Sequence, residues 1–152
     1  LLDTHEVEHT DPTSLDGYVV EDQVGFLLRR AHQRHAALFL DAMAEFDLTP
    51  TQFTALIKTV ELGTVTQNHL GRLAAMDPAT IQGVIKRLIA RGLVARATDP
   101  NDRRSAVLTA TRAGCALALA ASARGQKITE ATLAPLDADE RPVFLSLLRK
   151  LS

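Results

Sequence analysis

Three groups of residues in this 152-residue chain have types and spacings that could do chemistry, and in each case the chemistry is recognition. The first is Thr80, Gln82, Gly83, Lys86, Arg87 and Arg91 on the polar side of a predicted helix. If that helix lies in a DNA major groove, short polar chains near its start reach base edges, where the four base pairs are distinguishable. Lysine and arginine a turn later reach phosphates or guanine edges, and a glycine lets the backbone approach closely. The second group, Asn101, Arg103 and Arg104, sits at a predicted turn. An arginine on such a tip can enter a minor groove, above all a narrow A·T-rich one.

The third group lies near the N-terminus, where residues 29–35 hold three Arg and two His. An arginine can hold a carboxylate with two parallel hydrogen bonds, and a histidine can bond a ring hydroxyl or a carboxylate. Arg29 and His32 share a helix face at a spacing of three, and His35 lies on the apolar stripe. Six residues separate Arg29 from His35, about 120° around a helix, so the two would serve one pocket from its edges. The same charges could instead form salt bridges across a dimer, with His35 a satisfied core histidine.

Apolar periodicity supplies the elements that must position these groups. A helix is expected over 21–46, with Val24, Leu28, Ala31, His35, Leu38, Phe39, Ala42 and Phe46 in its stripe. Thr49-Pro50-Thr51-Gln52 has the form of a capping box opening a second helix, with Phe53, Leu56, Ile57 and Val60 on one face. Thr64-Val65 reads as a brief strand, and Thr66 caps a short third helix with Leu70, Leu73 and Ala74 inward. Its first turn adds Thr66, Gln67 and Asn68 to the residues expected to touch DNA. After Met76 and Asp77 a fourth helix buries Ile81, Val84, Ile85, Leu88 and Ile89 and stops at Gly92. Strands over 93–98 and 104–108 flank Asp99-Pro100-Asn101-Asp102, a turn with Asp first and Pro second. Helices over 113–133 and 138–151 follow, the last with Asp137 and Glu140 as a capping box.

The order predicts a mainly α fold with a small β-hairpin, a winged helix-turn-helix flanked by N- and C-terminal dimerisation helices. Its expected parts are a tail at 1–17, dimerisation helices at 18–47 and 110–152, and a DNA-binding lobe at 48–109. The flanking helices carry more apolar surface than one small winged domain could cover, which points to a homodimer and a near-palindromic operator.

Charge is segregated. The whole chain is −1, yet residues 1–28 hold seven acids and no Lys or Arg, while residues 48–112 hold nine bases against four acids. A basic middle between acidic flanks suits a local phosphate-binding surface. No apolar run approaches a membrane span, the acidic start lacks the pattern of a secretory signal, and a single cysteine excludes an internal disulfide framework, so a cytoplasmic protein is expected. Cys115 reads as a buried packing residue, since a redox role needs an exposed, low-pKa thiol. His32 and His35 could begin a metal site only with partners such as His5 and His9, so no metal or cofactor is expected. No phosphate-binding Gly loop, nucleophile elbow, HExxH or paired carboxylates point to an enzyme.

Against this reading the chain resembles the MarR family of bacterial transcription regulators. The resemblance rests on Leu48-Thr49-Pro50-Thr51-Gln52-Phe53, Leu70 to Ala74, Asp77-Pro78-Ala79-Thr80, the run Arg87 to Val94, and Asp99-Pro100-Asn101-Asp102-Arg103-Arg104 running into Leu108-Thr109 and Gly114. It implies an intertwined dimer that binds double-stranded DNA. It also implies a small effector between the dimer helices and the DNA-binding lobe. Residues 27–35 look like those of family members that respond to aromatic acids, where a matching Arg and His bind the ligand; this favours Arg29 and His35. An acyl-CoA effector, its phosphates met by several Arg, is the other candidate. In this family Asp102 and Arg104 often brace the wing, leaving Arg103 for the minor groove. Where the family often has Thr-Arg on the recognition helix, this chain has Gln82-Gly83.

The alternatives are a winged protein-interaction module without DNA binding and a metal- or redox-responsive regulator of the same fold. Arg103→Glu separates the first from a DNA-binding regulator. Charge reversal should abolish operator binding in a gel-shift titration if the wing enters DNA, and should change little in an interaction module.

Overall fold

A computed structural model describes residues 17–102 and 106–152. The chain divides into two compact units, residues 1–33 and 34–152. Among the described residues there are six α-helices and three short strands: α1 (Val24–Met43), α2 (Pro50–Leu62), β1 (Thr64–Val65), α3 (Gln67–Leu73), α4 (Pro78–Ala90), β2 (Val94–Thr98), β3 (Ala106–Ala110), α5 (Arg112–Leu133) and α6 (Glu140–Leu151). The three strands form one antiparallel sheet in the order β1-β3-β2. The mainly helical winged architecture expected from the sequence is therefore present.

In the first unit, the helix expected to start near residue 21 is preceded by a 3-10 turn, Val20–Asp22, and α1 begins only at Val24. The Gln23 side-chain amide donates back to the Val19 carbonyl at 2.9 Å. Val24 and Leu28, expected on an inward stripe, are exposed, as is Leu27 between them.

In the second unit, α2 is the element around which the others gather. Ala55, Leu56 and Thr59 are wholly buried. Thr59, a polar residue in this position, donates its hydroxyl to the Ala55 carbonyl at 2.8 Å, so no donor is left unsatisfied. The helix starts as expected: the Thr49 side chain accepts from the Gln52 N–H at 3.3 Å, and the Gln52 side chain accepts from the Thr49 N–H at 3.2 Å. Leu70, Ile81, Val84, Ile85, Leu88, Val94 and Leu108 join Leu56 in one core with Phe39 and Met43 from α1 and Ala118, Ala121 and Ile128 from α5.

Helix α4 ends in a Schellman motif. Gly92 has φ +68°, its N–H bonds the Ile89 carbonyl, and the Leu93 N–H bonds that of Leu88. Leu88 and Leu93 are both buried, the apolar contact that accompanies this motif. The start of α5 is fastened to the same corner. The Thr111 hydroxyl accepts from the Gly114 N–H at 3.0 Å and donates to the Gly92 carbonyl at 2.6 Å. A Cβ on Gly114 would stand 2.0 Å from the Leu93 carbonyl oxygen, so only glycine fits there.

Four expectations are corrected. Helix α3 stops at Leu73, not beyond it, because Ala75 takes a left-handed φ of 52° and the Met76 N–H turns back to the Gly71 carbonyl. Leu73, expected inward, is exposed. Cys115, expected to be buried, is exposed near the start of α5. The last capping box is half made: the Glu140 carboxylate accepts from the Asp137 N–H at 2.8 Å, but α6 begins at Glu140 and its N-cap is Asp139, which makes no side-chain cap bond.

Gly114→Ala should destabilise the protein by about 1–3 kcal/mol or more, because the methyl group meets backbone rather than a flexible side chain. Urea unfolding followed by circular dichroism measures this; a loss below about 0.5 kcal/mol would mean that the close approach at Leu93 yields freely.

Candidate nucleic-acid interface and effector cavity

Helices α3 and α4 with the turn at residues 74–77 form a helix-turn-helix, and β2 with β3 forms the wing that follows it. Thr66 caps α3 by accepting from the His69 N–H at 3.3 Å. Asp77 caps α4: its carboxylate accepts from the Thr80 N–H at 2.9 Å and from the Thr80 hydroxyl at 2.5 Å. These bonds, the hydroxyl first, hold the Asp77 carboxyl below its ordinary pKa. The cap therefore contributes fully above the ordinary carboxylate range and is lost as the pH falls through the lowered value.

Burial of Ile81, Val84, Ile85 and Leu88 leaves the opposite face of α4 outside, and Thr80, Gln82, Gly83, Lys86 and Arg87 are all exposed there. The Thr80 hydroxyl spends its proton on Asp77, so toward a base edge it offers lone pairs only. Neither ion pair among the described residues, Lys58–Glu61 or Arg124–Glu45, involves Lys86 or Arg87. A Cβ on Gly83 would meet nothing within 4 Å, so no packing inside the subunit calls for glycine at that position.

Arg91 departs from the expectation. Its guanidinium donates to the Phe46 carbonyl at 2.9 Å and to that of Asp47, where the chain leaves α1 through the 3-10 turn Ala44–Phe46. It braces the C-terminal end of α4 rather than pointing free. Arg96 on β2, not singled out from the sequence, donates to the Gln67 side chain on α3 at 3.3 Å and so links the wing to a residue expected to touch DNA. A strand arginine two residues past a buried valine carries no signal of that partner in sequence. Asn68 is exposed, as is Asn101, whose N–H bonds the Asp99 carboxylate at 2.8 Å and shapes the tip of the wing. Arg103 and Arg104 lie outside the described residues.

Helices α1, α2 and α5 line an open cavity of about 190 Å³ in the second unit. Its walls are His35, Phe39, Pro50, Phe53, Thr54, Gly125, Ile128 and Thr129. The Phe39 and Phe53 rings meet edge to face at 5.7 Å, and Gly125 makes room for Phe53, whose Cζ would lie 3.1 Å from an added Cβ. His35 Nδ1 is 3.0 Å from the Thr132 hydroxyl, and Arg34 donates to the Thr132 and Ala131 carbonyls at 2.6 and 3.0 Å. Of the three residues proposed for an effector, His35 alone lines this cavity. Arg29 and His32 belong to the first unit, are exposed, and Arg29 lies over the Phe26 ring at 5.2 Å. Among the described residues no three His, Cys, Asp or Glu side chains come together to hold a metal; His5 and His9 lie outside them.

Residues 46–105 match the sequence pattern of the MarR family. The HTH-type transcriptional repressor NicR of Pseudomonas putida is 41% identical over 134 residues, 88% of this chain and 85% of its own length. The chain belongs to the MarR family. The solved structure of a probable transcriptional regulator from Pseudomonas aeruginosa superposes with a TM-score of 0.84 at 45% identity, covering 88% of this chain and all of the other. BpsR of Bordetella bronchiseptica, solved in a study of how 6-hydroxynicotinic acid regulates its DNA binding, superposes at 0.83 with 40% identity, covering 88% of this chain and 96% of its own. This MarR-family chain is a DNA-binding transcription regulator. Among the described residues no helix is long and apolar enough to cross a membrane.

Gly83→Ala distinguishes a glycine kept for the helix from one kept for DNA. It should raise thermal stability, by about 0.5–1 kcal/mol, since alanine is the better helix former and has open space. Fluorescence anisotropy should at the same time show operator binding weakened by about tenfold; unchanged binding would mean that the α4 backbone does not come close to the bases.

Proposed function

We propose that the protein is a homodimeric, cytoplasmic repressor that holds a near-palindromic operator and releases it when a single-ring aromatic acid occupies the cavity beside His35. It acts by binding, not catalysis. The cavity is the observation that carries this reading. Its volume of about 190 Å³ is close to the roughly 150 Å³ known to accept benzene, and two aromatic rings and one histidine meet there. A CoA thioester would need several times that space, and no Lys or Arg stands among the lining residues to meet its phosphates. The BpsR relative, whose DNA binding responds to 6-hydroxynicotinic acid, supports the same ligand class.

The dimerisation reading rests on apolar side chains left uncovered in a single chain: Val24, Leu27 and Leu28 on α1, Leu119 on α5, and Val143, Phe144, Leu147 and Leu151 on α6. Residues 18–47 and 110–152 would supply this interface and residues 48–109 the DNA-binding lobe. Thr66, Gln67, Asn68, Thr80, Gln82, Gly83, Lys86, Arg87, Asn101, Arg103 and Arg104 would meet DNA. Arg29 and His32 remain candidates for holding an effector carboxylate. The switch is a population shift: an effector that prefers the dimer geometry with the two α4 helices off operator spacing releases DNA in proportion to that preference.

Titration of the dimer against its own upstream intergenic DNA at two salt concentrations tests this. Binding should be tight, fall steeply with salt as phosphate contacts release counterions, and be relieved by hydroxynicotinate or hydroxybenzoate but not by their CoA thioesters. Relief by thioesters alone would overturn the assignment of the cavity as the effector site.

A further inference from the structure

The polar groups of the cavity wall share one property: their protons are already spent. The Thr54 hydroxyl donates to the Pro50 carbonyl at 3.0 Å, and the Thr129 hydroxyl donates to the Gly125 carbonyl at 3.2 Å. Each therefore presents only lone pairs to the cavity. His35 is governed one step removed. The Thr132 hydroxyl lies 2.7 Å from the Ile128 carbonyl oxygen, a contact that requires the hydroxyl proton between them, since a carbonyl cannot donate. With that proton committed, the 3.0 Å contact between Thr132 Oγ1 and His35 Nδ1 is a bond in which Nδ1–H donates. A neutral imidazole with its proton on Nδ1 has a bare lone pair on Nε2, the one polar atom His35 keeps for a ligand.

We infer that Thr132 is a positioning residue that fixes the His35 tautomer, and that the cavity consequently selects aromatic rings carrying a hydrogen-bond donor on the edge that enters it. A ring hydroxyl or a pyridone N–H meets the Nε2 lone pair. A bare ring, a pyridine nitrogen or a methoxy group brings no proton, and a carboxylate there would find no donor among His35, Thr54 and Thr129. The acid group of the effector is thereby directed to the mouth and the donor edge to the interior. This inference rests on the cavity being the effector site, and deepens that reading from aromatic acids in general to donor-bearing ones.

Two measurements test it, one of them independent of any ligand. In the ligand-free protein, 15N-detected imidazole correlations should show His35 with its proton on Nδ1. In Thr132→Val, which keeps the side-chain shape and removes the acceptor, that tautomer preference should be lost, and Thr132→Ser should restore it. An Nε2–H tautomer or a doubly protonated ring in the wild-type protein would overturn the inference even if every aromatic acid binds.

The second measurement is calorimetric titration with 6-hydroxynicotinate against 6-methoxynicotinate and nicotinate. Wild-type protein should bind the hydroxylated ring about tenfold or more tightly than either, the scale of one hydrogen bond made or left unmade. Thr132→Val should shrink that ratio toward one while operator affinity without ligand stays unchanged. Methoxy and hydroxy compounds bound equally by the wild-type protein, or a ratio indifferent to Thr132→Val, would overturn the donor rule and leave the effector site standing. Failure of all three rings to bind, with the Nδ1–H tautomer in place, would overturn the effector reading and the selectivity built on it.

Discussion

The burial of α2 is the constraint on which the second unit depends. Ala55, Leu56 and Thr59 are sealed from solvent, and contacts run from this helix to α3, α4, α5, β1 and β3. A helix so enclosed cannot shift without disturbing several neighbours, because packed interiors yield in discrete rearrangements rather than by smooth deformation. Its first turns carry Pro50, Phe53 and Thr54 into the cavity wall, while its body packs against α4. The cavity and α4 thus share α2 as a common wall.

Around that wall, cations are divided between two tasks. Arg34 and Arg91 are bonded to backbone carbonyls, Arg34 at the end of α5 and Arg91 where the chain leaves α1. Carbonyls at helix ends lack partners within the helix, and a guanidinium offers a planar fork that satisfies two at once. Lys86 and Arg87 make no such bond among the described residues and stay on the exposed face of α4. The surplus of basic charge in the middle of the chain is therefore only partly available to phosphate. Counting charges overstates the interface, and hydrogen bonds identify which cations remain for DNA.

The likeness to BpsR, a regulator whose DNA binding is controlled by a hydroxylated aromatic acid, fits the small, ring-lined cavity. Chain similarity and cavity chemistry are separate supports. The first fixes the family and the DNA-binding role. The second rests on which atoms of His35, Thr54 and Thr129 still have a proton to give.

Local rules were enough for much of this molecule. The Thr49 capping box, the Gly92 helix stop, the caps at Thr66 and Asp77, the apolar face of α4 and the Asp99 turn depend on residues within a few positions of one another, so the sequence alone determined them. The same periodicity set the polar face of α4 outward and with it the expected DNA contacts. What only the tertiary structure decided involves partners far apart in the chain. Arg91 looked like a DNA cation until Phe46 and Asp47 came within reach, Arg96 had no role until Gln67 stood beside it, and Cys115 looked like packing until its face of α5 was left uncovered. The proton on His35 belongs to this second class, because Thr132 lies 97 residues away and its own hydroxyl must first be claimed by Ile128. Hydrogen-bond direction depends on every acceptor within about 3 Å, and a one-dimensional pattern does not specify those neighbours.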